Sequence, residues 1–264
     1  MSAVVAGSSG VPLSVCVLAF NDEEILARCL DALDFANEVV VVVDAKTTDG
    51  SEKIARDKGA VVSVHRYLGD IEQKRHAISQ ARNDWMLLLD SDEVVSPELA
   101  LAIRRFLSKH GAAESATGAE VNRLSYHLGR WLRHGDFYPD WKLRLFRRVE
   151  GEVVGRNPHG RVVVAGRVER LSGDLAHYTY HDLADQVVRI QQFSAQGAAA
   201  LRAEGRRCRW SDLCLRPPAR FVRAYVLKRG FLDGVAGFIV AAATAFHVFL
   251  KYAKLWELER ETRG

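Results

Sequence analysis

Apolar and polar positions change period several times along the chain, and those changes mark out its elements. Leu13 to Phe20 is a continuous β-rich run. After Asn21-Asp22-Glu23-Glu24, the residues Ile25, Leu26, Cys29, Leu30 and Leu33 recur at helical spacing. Val39 to Val43 is an unbroken run of valines ending in Asp44, the pattern of a strand buried on both faces. The loop Ala45-Lys46-Thr47-Thr48-Asp49-Gly50-Ser51 is rich in cap formers and leads into a helix expected over about 52–58, which Gly59 closes. Val61 to His65 alternates as a third strand. The stretch 71–82 reads as a basic amphipathic helix with Ile71, Ala77, Ile78 and Ala81 inward. Trp85 to Leu89 is an apolar run too short for a helix, ending in Asp90-Ser91-Asp92-Glu93. Ser96-Pro97-Glu98-Leu99 then supplies an N-cap, a proline at the first helical position and an acid in the first turn, before an apolar pattern through Leu107.

Strand and helix thus alternate four times, which predicts an α/β fold: a mostly parallel, Rossmann-like sheet with helices on both faces. Ligands in such sheets lie beyond the carboxyl ends of the strands, where Asn21, Glu23, Asp44 and the 90–93 cluster all fall. After a small-residue linker over 111–120 the alternation stops. Residues 125–140, rich in His, Trp, Tyr, Arg and Gly, read as a site-lining loop. Trp141 to Arg147 alternates as a strand with Leu143 and Leu145 on one face and Lys142 and Arg144 on the other. Val162 to Ala165 is another short strand, and His177 stands in a polar-aromatic segment over 176–182. A helical pattern covers 183–204. Pro217-Pro218 breaks the chain ahead of a basic helix with aromatics over 219–229. Gly234 to Leu250 carries no charge and is just short of the roughly 18 to 20 residues of a spanning helix. Lys251, Tyr252, Lys254 and Trp256 flank it, which fits a helix lying in the headgroup zone; a core helix is the alternative.

Composition changes this picture little: 264 residues of ordinary globular character with a formal charge of +4. The basic excess is uneven, crowding 130–148 and 202–229, and points to an anionic partner or to a solvated basic face. Cys16, Cys29, Cys208 and Cys214 lack zinc-site spacing, and a reducing cytosol fits them. Residues 1–10 are small and polar with no signal-peptide pattern, so 1–12 is expected to be a flexible lead-in.

The candidate chemistry centres on the acids after the fourth strand. Three carboxylates within four residues repel unless neutralised, and Asp90 and Asp92 can reach one divalent cation, Mg or Mn by ligand preference. A metal-bound diphosphate is the expected guest. Asp44 either caps the next helix or accepts from a nucleoside beside Asn21 and Glu23. Lys74 and Arg75 could counter diphosphate charge. His177 is a packed residue or a third metal ligand. Asp136, Asp140, Glu152 and His159 are candidate bases that spacing does not separate.

These motifs resemble the inverting nucleotide-sugar glycosyltransferases of family 2, with the GT-A fold. The resemblance runs through Ala19 to Glu24, Asp44 with Asp49-Gly50-Ser51, Gln73-Lys74-Arg75, Leu89 to Glu93, Trp141 to Arg148, His177, Lys228 to Gly234 and Phe249 to Trp256. The tail is similar to that of the bacterial branch that includes lipopolysaccharide core glucosyltransferases. The resemblance implies a GT-A catalytic domain over 13–182, with a nucleotide-binding half over 13–110 and an acceptor half over 121–182. A helical, membrane-associating extension would cover 183–264. It implies that Asn21, Glu23 and Asp44 hold the nucleoside, that Asp90 holds the ribose or the metal, and that Asp92 holds the metal. Lys74 and Arg75 would lie near the diphosphate. Related sequences often carry His-Glu where this chain has Pro158-His159-Gly160, so no base carries over there; Asp140, just before the recognisable strand, is the residue assigned. The implied partners are a nucleotide-sugar donor, UDP-linked, and a glycolipid or saccharide acceptor, with no nucleic acid. The implied location is cytoplasmic, peripheral on the inner face of the cell membrane. The rivals are a haloacid-dehalogenase-type phosphohydrolase with Asp90 as nucleophile, whose motif normally follows the first strand of its domain, and a catalytically silent membrane adaptor.

Overall fold

The computed structural model describes residues 10–110, 116–156 and 159–261; most of the expected lead-in over 1–12 therefore lies outside the described residues. In chain order the elements are β1 (Leu13–Ala19), α1 (Glu23–Asp31), β2 (Glu38–Asp44), α2 (Ser51–Asp57), β3 (Val61–His65), α3 (Asp70–Gln80), β4 (Trp85–Asp90), β5 (Glu93–Val95) and α4 (Pro97–His110). They continue as β6 (Gly118–His127), β7 (Arg130–Trp131), β8 (Trp141–Arg147), β9 (Glu152–Arg156), β10 (His159–Val163) and β11 (Val168–His177). The helices α5 (Leu183–Ala203), α6 (Trp210–Cys214), α7 (Arg216–Val222) and α8 (Gly234–Glu261) complete the chain. It divides into two compact units, Met1–Arg123 with Asp140–His177, and Leu124–Pro139 with Tyr178–Gly264. Residues 124–139, assigned from sequence to an acceptor half, thus cluster with the C-terminal helices.

In the first unit the strand order is β3-β2-β1-β4-β8-β6-β11-β5. The first four strands run parallel, as repeated strand–helix crossovers require. From β8 onward the pairings described are antiparallel, with β8 against β4 and β6, and β11 against β5. Strand periodicity distributes the apolar runs onto both faces. Val15, Val17, Val41, Val43, Leu87 and Leu89 face one core with Leu26, Leu30, Leu99 and Ile103. Cys16, Val40, Val42, Met86 and Leu88 face the other, with Ala77, Phe146 and Val162. Ser96 caps α4 as its sequence predicts, its hydroxyl accepting from Leu99 N at 3.2 Å.

Two strands differ from expectation. Residues 118–120, read as the end of a linker, and 125–127, read as the start of a loop, belong to β6, where a bulge between Ala119 and Glu120 breaks the alternation that would have revealed it. His177, read from sequence as part of a polar-aromatic segment over 176–182, closes the ten-residue β11. Close packing of β11 on α4 is made possible by Gly173, at φ +86°, where a Cβ would lie 2.4 Å from Leu99 N.

Among the described residues the regular structure of the second unit is helical apart from the short pairing of Tyr126 with Trp131 and His127 with Arg130. Pro217 and Pro218 occupy the first turn of α7 instead of breaking the chain, since backbone N–H groups there have no intrahelical acceptor. Ala198 of α5 packs with Tyr252 and Leu255 of α8. Lys254 Nζ donates to Gln191 O at 2.6 Å and to Ser194 Oγ at 2.8 Å. Asp136 is clamped by Arg220 and Lys228, each at 2.9 Å, and His134 pairs with Asp233 at 3.0 Å. The segment Gly230–Arg260 is long and apolar enough to cross a membrane by length and composition; its most apolar window has a mean hydropathy of 1.7 and is only 28% buried.

Candidate active site

Parallel pairing of β2, β1 and β4 brings their carboxyl ends to one edge, with Ala19 opposite Val43 and Leu18 opposite Asp90. The turn after β1 is tied to the loop after β2 by side chains the sequence singled out. Asn21, in the left-handed region at φ +52°, accepts from Thr48 N at 2.9 Å through Oδ1. The Glu23 carboxylate accepts from Gly50 N at 2.7 Å, and Glu23 N donates to Asp49 at 2.9 Å. Asp44 is buried and accepts from Lys46 N at 3.0 Å and Tyr67 N at 3.4 Å. These bonds hold two loops in one shape, leaving the remaining acceptor capacity of each group for a ligand.

The acids after β4 divide their work. Glu93 is fully buried and is neutralised by Arg144 and by Arg123, the latter at 3.3 Å; it also accepts from Asp90 N at 3.1 Å. Asp90 meets Arg144 at 2.7 Å. Burial opposes ionisation of Asp90, but Arg144 foremost, then Lys74 and Arg123, outweigh it and hold the carboxyl at about 2. Two of the three adjacent acids expected to need a neutralising cation thus find it in arginines, Glu93 in Arg144 and Arg123 and Asp90 in Arg144. Ser91 donates to Asp22, whose carboxyl burial pushes up, against the bonds from Ser91 and Phe20, with Asp92 and Asp49 adding to the rise.

Asp92 is different. Its Oδ2 lies 3.3 Å from His177 Nε2, while its Oδ1 is buried without a hydrogen-bond partner. A buried carboxylate oxygen left in that state is costly unless a cation or donor completes it, so Asp92 with His177 fits one side of a divalent-cation site. Asp90 does not join them: among the described residues no group of three or more His, Cys, Asp or Glu is placed to hold a metal ion. Asp90 is turned instead toward Arg144.

Lys74 bridges Asp70 and Gly160 O, each at 2.8 Å, and lies near enough to Asp90 to lower its proton affinity. Arg75 is directed to Glu72 at 3.0 Å and Val153 O at 3.3 Å, so the structure does not bring it to the acidic edge with Lys74. Asp140 is held by Arg123 at 2.6 Å and Lys142 at 2.8 Å. Burial raises its proton affinity, but the two cations prevail and hold the carboxyl below the usual range, opposite to what a general base needs. Its geometry is that of a strut for Arg123, which leaves the base assigned from sequence occupied by two cations. Asp22, Arg123 and Arg144 are the site residues that sequence reasoning missed. Arg144 alternates with Leu143 and Leu145 as the sequence predicts, and its side chain is buried.

A Rossmann-like edge lined with acids, followed by an antiparallel extension of the same sheet, defines the GT-A class of fold. The chain belongs to glycosyl transferase family 2, whose family model matches residues 14–184. It is 27% identical over 254 residues to the lipopolysaccharide core biosynthesis glycosyltransferase LpsC of Rhizobium meliloti (strain 1021), covering 94% of this chain and 93% of LpsC. It is 28% identical over 268 residues to the uncharacterized glycosyltransferase RT0209 of Rickettsia typhi (strain ATCC VR-144 / Wilmington), covering 96% and 89%. Among solved structures, S. aureus TarS 1-349 aligns with a TM-score of 0.46 at 16% identity, covering 96% of this chain and 92% of that one.

Proposed function

We propose that this glycosyltransferase moves a hexose from a UDP-linked donor to a lipid-linked or lipopolysaccharide-core saccharide, by inverting displacement, at the inner face of the cell membrane. The observation that carries the donor side is Asp92, whose buried Oδ1 has no partner and whose other oxygen adjoins His177. Similarity to LpsC along nearly the whole of both chains supports the acceptor class.

In this reading Asn21, Glu23 and Asp44 hold the nucleoside from two loops already fixed to each other. Asp90, kept ionised by Arg144, accepts from a ribose hydroxyl. Lys74 faces diphosphate charge, while Arg75, turned to Glu72 and Val153 O, takes no part. Asp92 and His177 would hold Mg or Mn, which when bound offsets the charge of the departing diphosphate. The two arginines pair with Asp90 and Glu93 and leave Asp92 Oδ1 without a partner, so donor geometry is set before donor arrives.

The phosphohydrolase reading is set aside by family membership and by Asp90, its required nucleophile, being held by Arg144. A silent adaptor would bind vesicles without turnover. The test is a thermal-shift panel of nucleotides and nucleotide sugars with and without manganese, followed by turnover assays on lipid-linked saccharides. UDP with manganese should raise the melting temperature, since a ligand at 100 times its Kd adds about 2.7 kcal/mol. Asp92→Asn should abolish the manganese-dependent part of that rise; an unchanged rise in the variant would overturn the reading.

A further inference from the structure

The second unit carries a groove that the donor reading does not use. It encloses about 320 Å³ between α7 and α8, and Arg216, Arg220, Arg223, Lys251 and Tyr252 supply its polar lining. Two of these cations are spoken for: Arg216 meets Asp212 at 2.5 Å and Arg220 meets Asp136 at 2.9 Å. Arg223 and Lys251 have no carboxylate partner among the described residues. Burial and then Arg206, Arg216 and Arg220 lower the proton affinity of Lys251, as expected where positive charge is left uncompensated. Tyr252, 4% exposed, forms the floor, with Arg206, Arg216 and Lys251 over its ring at 5.6, 5.2 and 5.2 Å. These contacts hold the cations in place around a space that contains no acid.

An apolar face adjoins this space. Val235, Phe238, Phe246, Phe249 and Trp256 are each at least 41% exposed. At 3.6 residues per turn they fall within an arc of about 80° on α8; Tyr252, which floors the groove, stands about 40° beyond the edge of that arc, and Lys251 about 100° further round the helix on the groove's far side. Exposed aromatics in a stripe beside a cationic groove match a ligand that is apolar at one end and anionic at the other.

We propose that this groove binds the phosphate of an anionic phospholipid headgroup, with the acyl chains against the α8 stripe. The proposal rests on the peripheral membrane attachment described above and adds a defined headgroup site to it. A free phosphate ester shares the headgroup's chemistry but leaves the bordering stripe uncovered, which favours the lipid as the source.

The test uses the full chain and co-sedimentation with vesicles of phosphatidylcholine alone or with phosphatidylglycerol. Wild type should bind the anionic vesicles more tightly, and Arg223→Gln and Lys251→Gln should each lose about fivefold of that preference, the usual contribution of one basic residue at a membrane surface. Arg105→Gln, an equal change of charge on exposed α4, should lose none. Unchanged melting temperatures would show that the variants are folded. Anionic preference equal to wild type in both groove variants would overturn the headgroup site while leaving membrane attachment standing. Failure of wild type to bind any vesicle would overturn the attachment itself. Displacement from the vesicles by glycerol phosphate at the concentration of the lipid would reassign the groove to a soluble ester and also overturn the proposal.

Discussion

The strand end after β4 shows how neighbouring carboxylates acquire separate tasks from their surroundings. Glu93 is a buried counter-ion, Asp90 an ionised acceptor at the edge, and Asp92 the group with unmet bonding capacity. Removing one partner of a buried ion pair typically costs 3 to 5 kcal/mol because the other charge stays behind. Arg144→Met should therefore destabilise the protein by about that much in urea unfolding, and adding Glu93→Gln should recover part of the loss. Asp140→Asn should lower stability by about 1 to 3 kcal/mol through loss of the Arg123 strut. It should keep more than one hundredth of wild-type turnover, whereas loss of a general base costs 10²–10⁴-fold. The sign of the Asp90 effect follows from its lowered pKa. The folded state holds the proton less tightly than the unfolded chain, so its contribution is complete above about pH 4 and is lost as pH falls toward about 2. Asp90→Asn should flatten that part of an acid-unfolding titration.

At the scale of elements, what was legible in the sequence depended on whether a local pattern survived tertiary contact. β1 to β4 and their helices were readable because five valines or Trp85-Met86-Leu87-Leu88-Leu89 can only be buried strands, and because Ser96-Pro97 announces a helix start. That His177 stands beside Asp92 was legible only as one of two readings of that histidine, since no local pattern revealed β11, the strand it closes. β6 was not readable, because its bulge breaks the period and Asn122 and Ser125 are buried polar residues. Nor was Arg144, since its burial depends on Asp90 and Glu93, more than fifty residues away in sequence. Gly173 belongs to the same class: nothing local reveals that β11 must approach α4 so closely. Gly173→Ala should cost about 2 to 4 kcal/mol, from the positive φ and the clash with Leu99, read as a lowered urea midpoint.

For the molecule as a whole, the two units carry different surfaces, one an acid-lined sheet edge and the other a basic and aromatic set of helices. The formal charge of +4 thus hides a division of labour between them. The arginine that occupies Asp90 has one more consequence, for the order in which ligands bind. In the proposed donor reading, with Asp90 committed to Arg144, Asp92 and His177 are the ligands left for a divalent ion among the described residues, fewer than Mg or Mn requires. A cation so sparsely held binds weakly until phosphate oxygens complete its shell. Titration calorimetry should therefore detect little uptake of manganese by the free protein and clear uptake once UDP is present, so that cation and nucleotide enter together and leave together.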